Sequence, residues 1–97
     1  MKAVFISYNQ SITEEVQEIL DSLSIRGYTQ WIDIIGRGSD KGIMHEGTHV
    51  WPDLNNAHLT IVEDLKVPLL LEKLQVLNHE VEEQGLRAFV WNIESGI

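Results

Sequence analysis

The chain contains no cysteine, which excludes disulfides, thiolate metal sites and cysteine nucleophiles together. Basic residues are also few, with 7 Lys and Arg against 15 Asp and Glu and a net charge of −8. Proteins that bind nucleic acid need a basic face, so no nucleic-acid partner is expected. Much of the acidic charge falls on two predicted helices. There it indicates either a solvated surface or a surface that recruits a cation or a basic partner.

Long apolar runs are absent as well. The longest, residues 67–71, is far too short to span a bilayer, so the protein is not expected to insert into a membrane. The amino-terminal segment, MKAVFISY, predicts a strand and lacks the longer apolar run and cleavage site of a signal peptide. We therefore expect a cytoplasmic protein.

The alternation of apolar and polar residues predicts an α+β fold. At 97 residues, 43% of them apolar, the chain is expected to form one domain over 1–97. Strand patterns occur at 2–8, 28–35, 57–63 and 87–93, and helical patterns at 12–23 and 67–84. This β-α-β-β-α-β order predicts a ferredoxin-like sandwich, with a four-stranded antiparallel sheet and two helices on one face.

Both helices carry boundary signals. Ser11 and Glu14 have the spacing of a capping box at the start of the first helix, and Gly27 predicts its end. Pro68 suits the first turn of the second helix, which is expected to continue to about residue 84 and stop at Gly85.

The predicted strands are apolar on both faces, although two helices can cover only one face of the sheet. Another subunit is the expected cover, and scattered exposed apolar residues are the alternative. Periodicity does not assign the faces. The uncovered residues are expected among Trp31, Ile35, Val62, Phe89 and Trp91.

A glycine-rich segment, about 36–56, separates the second and third strands, and loops of this length are usually either functional or disordered. Backbone N–H groups at Gly36, Gly38 and Gly42, with the cations Arg37 and Lys41, predict an anion site. The alternative is a mobile surface loop.

The same segment contains candidate metal ligands. His45 and His49 lie four residues apart with Glu46 between them, and His58 begins the next strand. Imidazole and carboxylate groups suit a divalent transition metal such as zinc, copper or nickel. The alternative for these histidines is solvation or packing.

Trp51 and Pro52, followed by Asn55, predict either a structural turn or an anchor for a partner protein. No catalytic set emerges. Ser39 has nothing to fix a base beside it, and the His45–Glu46 pair lacks the metalloprotease arrangement. We do not expect an enzyme.

Two segments resemble the nitrogen-regulatory PII signalling superfamily, whose layout is similar over the whole chain. These are GYTQWIDIIGRGSDKG, similar to the start of the PII T-loop, and HEGTHVWPDLNN, similar to the PII-like side branch. The resemblance implies a homotrimer with ligand clefts between subunits, an adenine nucleotide as a candidate ligand, and a T-loop that contacts a target enzyme or membrane transporter. It places Arg87 where a phosphate-binding lysine would stand. Kinship with CutA-type proteins keeps metal homeostasis as the alternative function.

Overall fold

The computed structural model describes residues 1–36, 54–81 and 84–97. Four strands and two α-helices form in the predicted order. They are β1 (Lys2–Asn9), α1 (Thr13–Ser22), β2 (Thr29–Ile34), β3 (Asn55–Val62), α2 (Val67–Glu80) and β4 (Arg87–Asn92). Short 3-10 turns, Gln10–Ile12 and Asp64–Lys66, lead into α1 and α2.

The strands form one antiparallel sheet in the order β2-β3-β1-β4. The strands β2 and β3, which are consecutive among the described elements, pair with each other. The strand β1 lies between β3 and β4. This arrangement confirms the predicted ferredoxin-like α+β fold. Within the described ranges, no helix is long and apolar enough to cross a bilayer.

The core lies between the helices and one face of the sheet. Val4, Ile6 and Tyr8 alternate along β1 and are fully buried. Both helices pack apolar stripes on them, as the helical periodicity predicted. The buried helical residues are Val16 and Leu20 from α1 and Leu70, Leu74 and Leu77 from α2.

The capping box predicted at the start of α1 does not form. Asn9, not Ser11, caps the entry: its side-chain oxygen accepts from the Ser11 amide at 2.8 Å, while the Ser11 hydroxyl donates to Gln84. The chain leaves β1 through the 3-10 turn Gln10–Ile12. The backbone N–H groups that need a cap therefore follow Asn9, whereas a capping box at Ser11 requires them two residues later.

The predicted helix ends also differ from the structure. The α1 helix stops at Ser22, and Ser24, not Gly27, takes the left-handed conformation at φ 57°. The Ile25 amide donates to the Leu20 carbonyl at 2.9 Å, which completes a Schellman motif and buries both side chains. The α2 helix ends at Glu80, four residues before the predicted end, and Gly85 follows at φ 59°.

The face of the sheet away from the helices is apolar, and we call it the open face. Large side chains from all four strands lie on it: Phe5, Trp31, Leu59, Ile61, Phe89 and Trp91. Trp31 is 42% exposed, Trp91 47% and Phe89 59%, and the Phe5 and Trp31 rings lie 6.4 Å apart. An apolar surface on this scale usually meets another protein chain.

Two members of the expected uncovered set do not belong to the open face. Val62 pairs with Lys2, and the side chains of both lie on the same face of the sheet as Val4, toward the helices. Val62 is only 5% exposed and belongs to the core. Its prediction as an uncovered residue is therefore wrong, because the register decides which half of each strand faces the helices. Ile35, 81% exposed, lies beyond the end of β2.

Candidate functional site

Most of the predicted site residues lie in the segment between β2 and β3. Residues 37–53 of this segment lie outside the described residues. The predicted site residues in that range are the anion candidates Arg37, Gly38, Lys41 and Gly42, the metal candidates His45, Glu46 and His49, and the partner candidates Trp51 and Pro52. The two ends of the segment, residues 34–36 and 54–56, are described, and we call them the loop root.

A bulge in β2 immediately precedes the loop root. Strand pairing with β3 shifts between Trp31 and Ile34, and Asp33 takes the left-handed conformation at φ 57°. Aspartate tolerates this conformation better than most residues, but the turned backbone leaves its N–H without a ladder partner. The side-chain oxygen of Asn56 accepts from that N–H at 3.0 Å.

Asn56 joins the loop root to the start of α1. Its side chain is 6% exposed, and its amide nitrogen donates to the Thr13 hydroxyl at 2.8 Å. The Thr13 hydroxyl in turn donates to the Gln10 carbonyl at 2.7 Å, and the Gln10 amide donates to the Leu54 carbonyl at 3.0 Å. Hydrogen bonds therefore connect both ends of this segment to the start of α1, through the Leu54 carbonyl on one side and through Asn56 on the other.

Gly36 and Asn55 come together in the loop root. A Cβ atom added to Gly36 would lie 2.9 Å from the side-chain nitrogen of Asn55, which is closer than real Cβ contacts. Asn55 is the first residue of β3 and pairs with Ile34 and Asn9. The structure thus brings one predicted ligand residue and one predicted partner residue side by side.

Arg87 lies apart from the loop root. It begins β4, its side chain is exposed, and one guanidinium nitrogen donates to the Leu86 carbonyl at 2.9 Å. The row Arg87–Ser7–Ala57–Trp31 crosses the sheet from edge to edge. Because β2 and β4 are the two edge strands, Arg87 and Trp31 are separated by three strand spacings, about 14 Å, and the loop root lies farther away, beyond Trp31 along β2. A single chain does not join these two predicted halves of a ligand site.

His58, the fourth predicted metal ligand, lies in the core on the helix side of β3. It is fully buried, and its Nδ1 shares a hydrogen bond of 3.0 Å with the Tyr8 hydroxyl. The Tyr28 ring packs edge-on against it at 4.8 Å. In the described part of the chain no three His, Asp or Glu side chains form a group that would hold a metal ion. The metal site stays a prediction.

The chain was compared with known proteins. No protein-family model matches it, and no curated protein matches its sequence. Solved structures do match. CPII of Thiomonas intermedia K12, a nitrogen regulatory PII-like protein, has a TM-score of 0.76 and 24% identity over 99% of this chain and 88% of CPII, in a structure with ADP, AMP and acetate. This chain has the PII-like fold.

Two further structures have the same PII-like fold. CPII bound to ADP and bicarbonate gives a TM-score of 0.72 and 25% identity, covering 95% of this chain and 84% of CPII. A protein of Thermus thermophilus, described as a PII-like signalling protein, gives 0.64 and 22%, covering 95% of this chain and 85% of its own. The PII-like resemblance inferred from the sequence is thus confirmed at the level of fold.

Sequence reasoning missed the residues that hold the loop root of this PII-like chain. Neither Asn56 nor Thr13 was predicted as a site residue. The two are 43 positions apart in the sequence, and their hydrogen bond depends on how α1 sits on β3. The polar pair Asn55–Asn56 before an apolar strand was the one available signal.

The buried histidine gives this PII-like fold a predictable pH dependence. Burial lowers the pKa of His58 below its ordinary value of about 6.5, so the unfolded chain takes up a proton more readily than the folded one. The free energy of unfolding therefore does not depend on the titration of His58 above about pH 6.5, and it decreases as the pH falls from there toward the lower pKa of His58 in the folded protein.

We expect the free energy of unfolding to fall by up to about 1.4 kcal/mol per pH unit below pH 6.5. Urea denaturation of the wild type and of His58→Phe at several pH values measures this slope. The slope should disappear in His58→Phe and persist in His79→Gln, which removes an exposed histidine of α2. Equal slopes in all three proteins would contradict the prediction.

Proposed function

We propose that this chain is a non-enzymatic, cytoplasmic PII-like regulatory protein, formed by one domain over 1–97. It assembles as a homotrimer and binds a small anionic ligand at the clefts between subunits. Adenine nucleotides are the leading candidates, with bicarbonate as a second anion. The segment 36–56 then acts as a T-loop that contacts a target enzyme or membrane transporter.

One observation carries the proposal: the likeness to CPII extends over nearly the whole chain, and CPII was solved with ADP and with bicarbonate. In this chain β2 and β3 pair with each other and flank the long segment that is predicted to be the T-loop. Asn56, Thr13 and Gln10 anchor both ends of this segment by hydrogen bonds. Binding residues often lie on a loop whose ends are positioned by a rigid scaffold.

The positions of Gly36 and Arg87 support a cleft between subunits. They belong to opposite edges of one sheet, so one small ligand does not reach both within a single chain. If the open faces of neighbouring chains meet, the β4 edge of one chain approaches the β2 edge of the next. Glycine N–H groups and a guanidinium from two chains then surround one phosphate or carboxylate.

Calorimetric titration with ADP, AMP, ATP and bicarbonate tests the proposal. We expect at least one nucleotide to bind, and Arg87→Ala to weaken its affinity by about tenfold or more, because a charge-assisted hydrogen bond is lost. Arg26→Ala removes another exposed arginine, from the connection between α1 and β2, and should leave the affinity unchanged. No heat with any of the four ligands, from folded wild-type protein, would reject the nucleotide and bicarbonate versions.

A further inference from the structure

An open groove of about 630 Å³ runs between α1 and α2 on the outer surface of the helix layer. It lies on the opposite side of the sheet from the open face, and the loop root takes no part in it. The helices that line it span about 15 Å and 21 Å, at 1.5 Å per residue. Neither the proposed ligand nor the T-loop contact uses this surface.

The groove has an apolar floor. Leu69 and Val76 lie seven residues apart on α2, so they stand in one line along the helix, and Ile19 of α1 faces them. Leu69 is 51% exposed and Val76 56% exposed, although neighbouring residues of the same helix are fully buried. Adjacent exposed side chains of this size gain when a partner removes them from water.

The rim of the groove is acidic. Glu15 and Glu18 of α1 and Glu72 and Glu80 of α2 line it, with Lys73 as the single cation among the lining residues. The whole chain carries a net charge of −8, which adds a long-range field of the same sign. The occupant must therefore combine apolar side chains with positive charge.

We propose that this groove docks a basic amphipathic helix of a partner protein. A helix laid between two others presents one apolar line to the floor, and its flanking Lys or Arg residues reach the acidic rim. A second copy of this chain fits poorly, because two such rims would bring carboxylates against carboxylates. The groove thus forms a second interaction surface, independent of nucleotide binding.

The test uses a fluorescein-labelled synthetic peptide of about 16 residues, long enough to span α1 and α2 as a helix. It carries leucines at helical spacing on one face and lysines elsewhere. Fluorescence anisotropy with the full chain should show saturable binding that weakens as the ionic strength rises. A peptide with the same leucines and with glutamate in place of lysine should not bind.

Paired variants locate the contact. Glu18→Lys with Glu72→Lys should weaken binding by about tenfold or more, since each reversal replaces an attraction with a repulsion. Glu14→Lys with Glu63→Lys changes the net charge equally at exposed positions that do not line the groove, and should weaken binding by less than about threefold.

The apolar floor is tested separately. Leu69→Gln with Val76→Gln should weaken binding by about tenfold, whereas Leu65→Gln, at a position 87% exposed and outside the groove, should have no effect. All of these positions are exposed, so circular dichroism should show an unchanged fold.

Three results of the binding experiments would overturn the proposal. They are equal binding of the acidic peptide, equal losses from the two charge-reversal pairs, and wild-type affinity in the Leu69/Val76 variant. A smaller oligomer in the Leu69/Val76 variant would also overturn it, because the groove would then join copies of this chain. Calorimetry with nucleotides on the same variants separates this result from a failure of the proposed function.

Discussion

Replacing Phe89 with glutamate is expected to convert the assembled protein into monomers of 11.1 kDa. Phe89 is 59% exposed on the open face, pairs directly with Phe5 and lies two residues from Trp91 along β4. Covering each of these side chains with another subunit is worth about 1.5–3 kcal/mol before the entropy cost of association. A carboxylate placed among them would have to lose its water without gaining a partner, which costs more than the contact it replaces.

Light scattering after size exclusion measures this effect. The proposed homotrimer predicts about 33 kDa for the wild type, and Phe89→Glu should elute as a folded monomer. Val76→Glu is the matched control, because Val76 is 56% exposed but lies on α2, in the helix layer. It should retain the mass of the wild type. A wild-type monomer, or an unchanged mass for Phe89→Glu, would contradict both the trimer and the cleft between subunits.

Replacing Asn56 with alanine is expected to lower the free energy of unfolding by about 1–3 kcal/mol. Its buried side chain satisfies the N–H of Asp33 and donates to the Thr13 hydroxyl. Alanine removes both hydrogen bonds, and each is worth about 0.5–1.5 kcal/mol net to the stability of the fold. A domain of this size is stable by only about 5–15 kcal/mol, so the loss is large.

The location of the damage distinguishes this mechanism from general destabilisation. Hydrogen exchange should accelerate first at β2, whose pairing with β3 the bulge already interrupts, and later at the central strand β1. Asn92→Ala removes an exposed asparagine of β4, which contacts Lys2, and should change the stability by less than about 0.5 kcal/mol. Uniform acceleration across the sheet would contradict a role at the loop root.

Local sequence signals identified the elements better than their ends. The apolar stripe of α1 was predicted and is buried, because helical spacing alone places Val16 and Leu20 on one side. The helical pattern at 12–23 agrees with Thr13–Ser22 to within one residue, but the capping residues were not predicted: Asn9 caps the 3-10 turn before the helix, and Ser24 is left-handed after it. The capping residues of a helix depend on the direction in which the chain enters and leaves the helix. The residues next to the helix in the sequence do not determine that direction.

The predicted site residues that the structure describes are Gly36, Asn55, His58 and Arg87. Gly36 was predicted to contribute to an anion site, and the structure shows the side chain of Asn55 close against it. His58 was considered as a metal ligand, but it lies in the core against Tyr8 and Tyr28. Both aromatic partners come from other strands or connections, so no spacing in the sequence indicated them.

The sequence by itself determined the order of strands and helices, the acidic character, the lack of thiol chemistry and the position of the long loop. Each of these follows from composition or from periodicity over a few residues. Only the tertiary structure decided that Val62 faces the core while Phe89 faces outward, that Arg87 and Gly36 belong to opposite edges, and that two helices enclose an acidic groove. The physical reason is strand register: a shift of one residue exchanges the two faces of a strand, and pairing between distant segments sets that register.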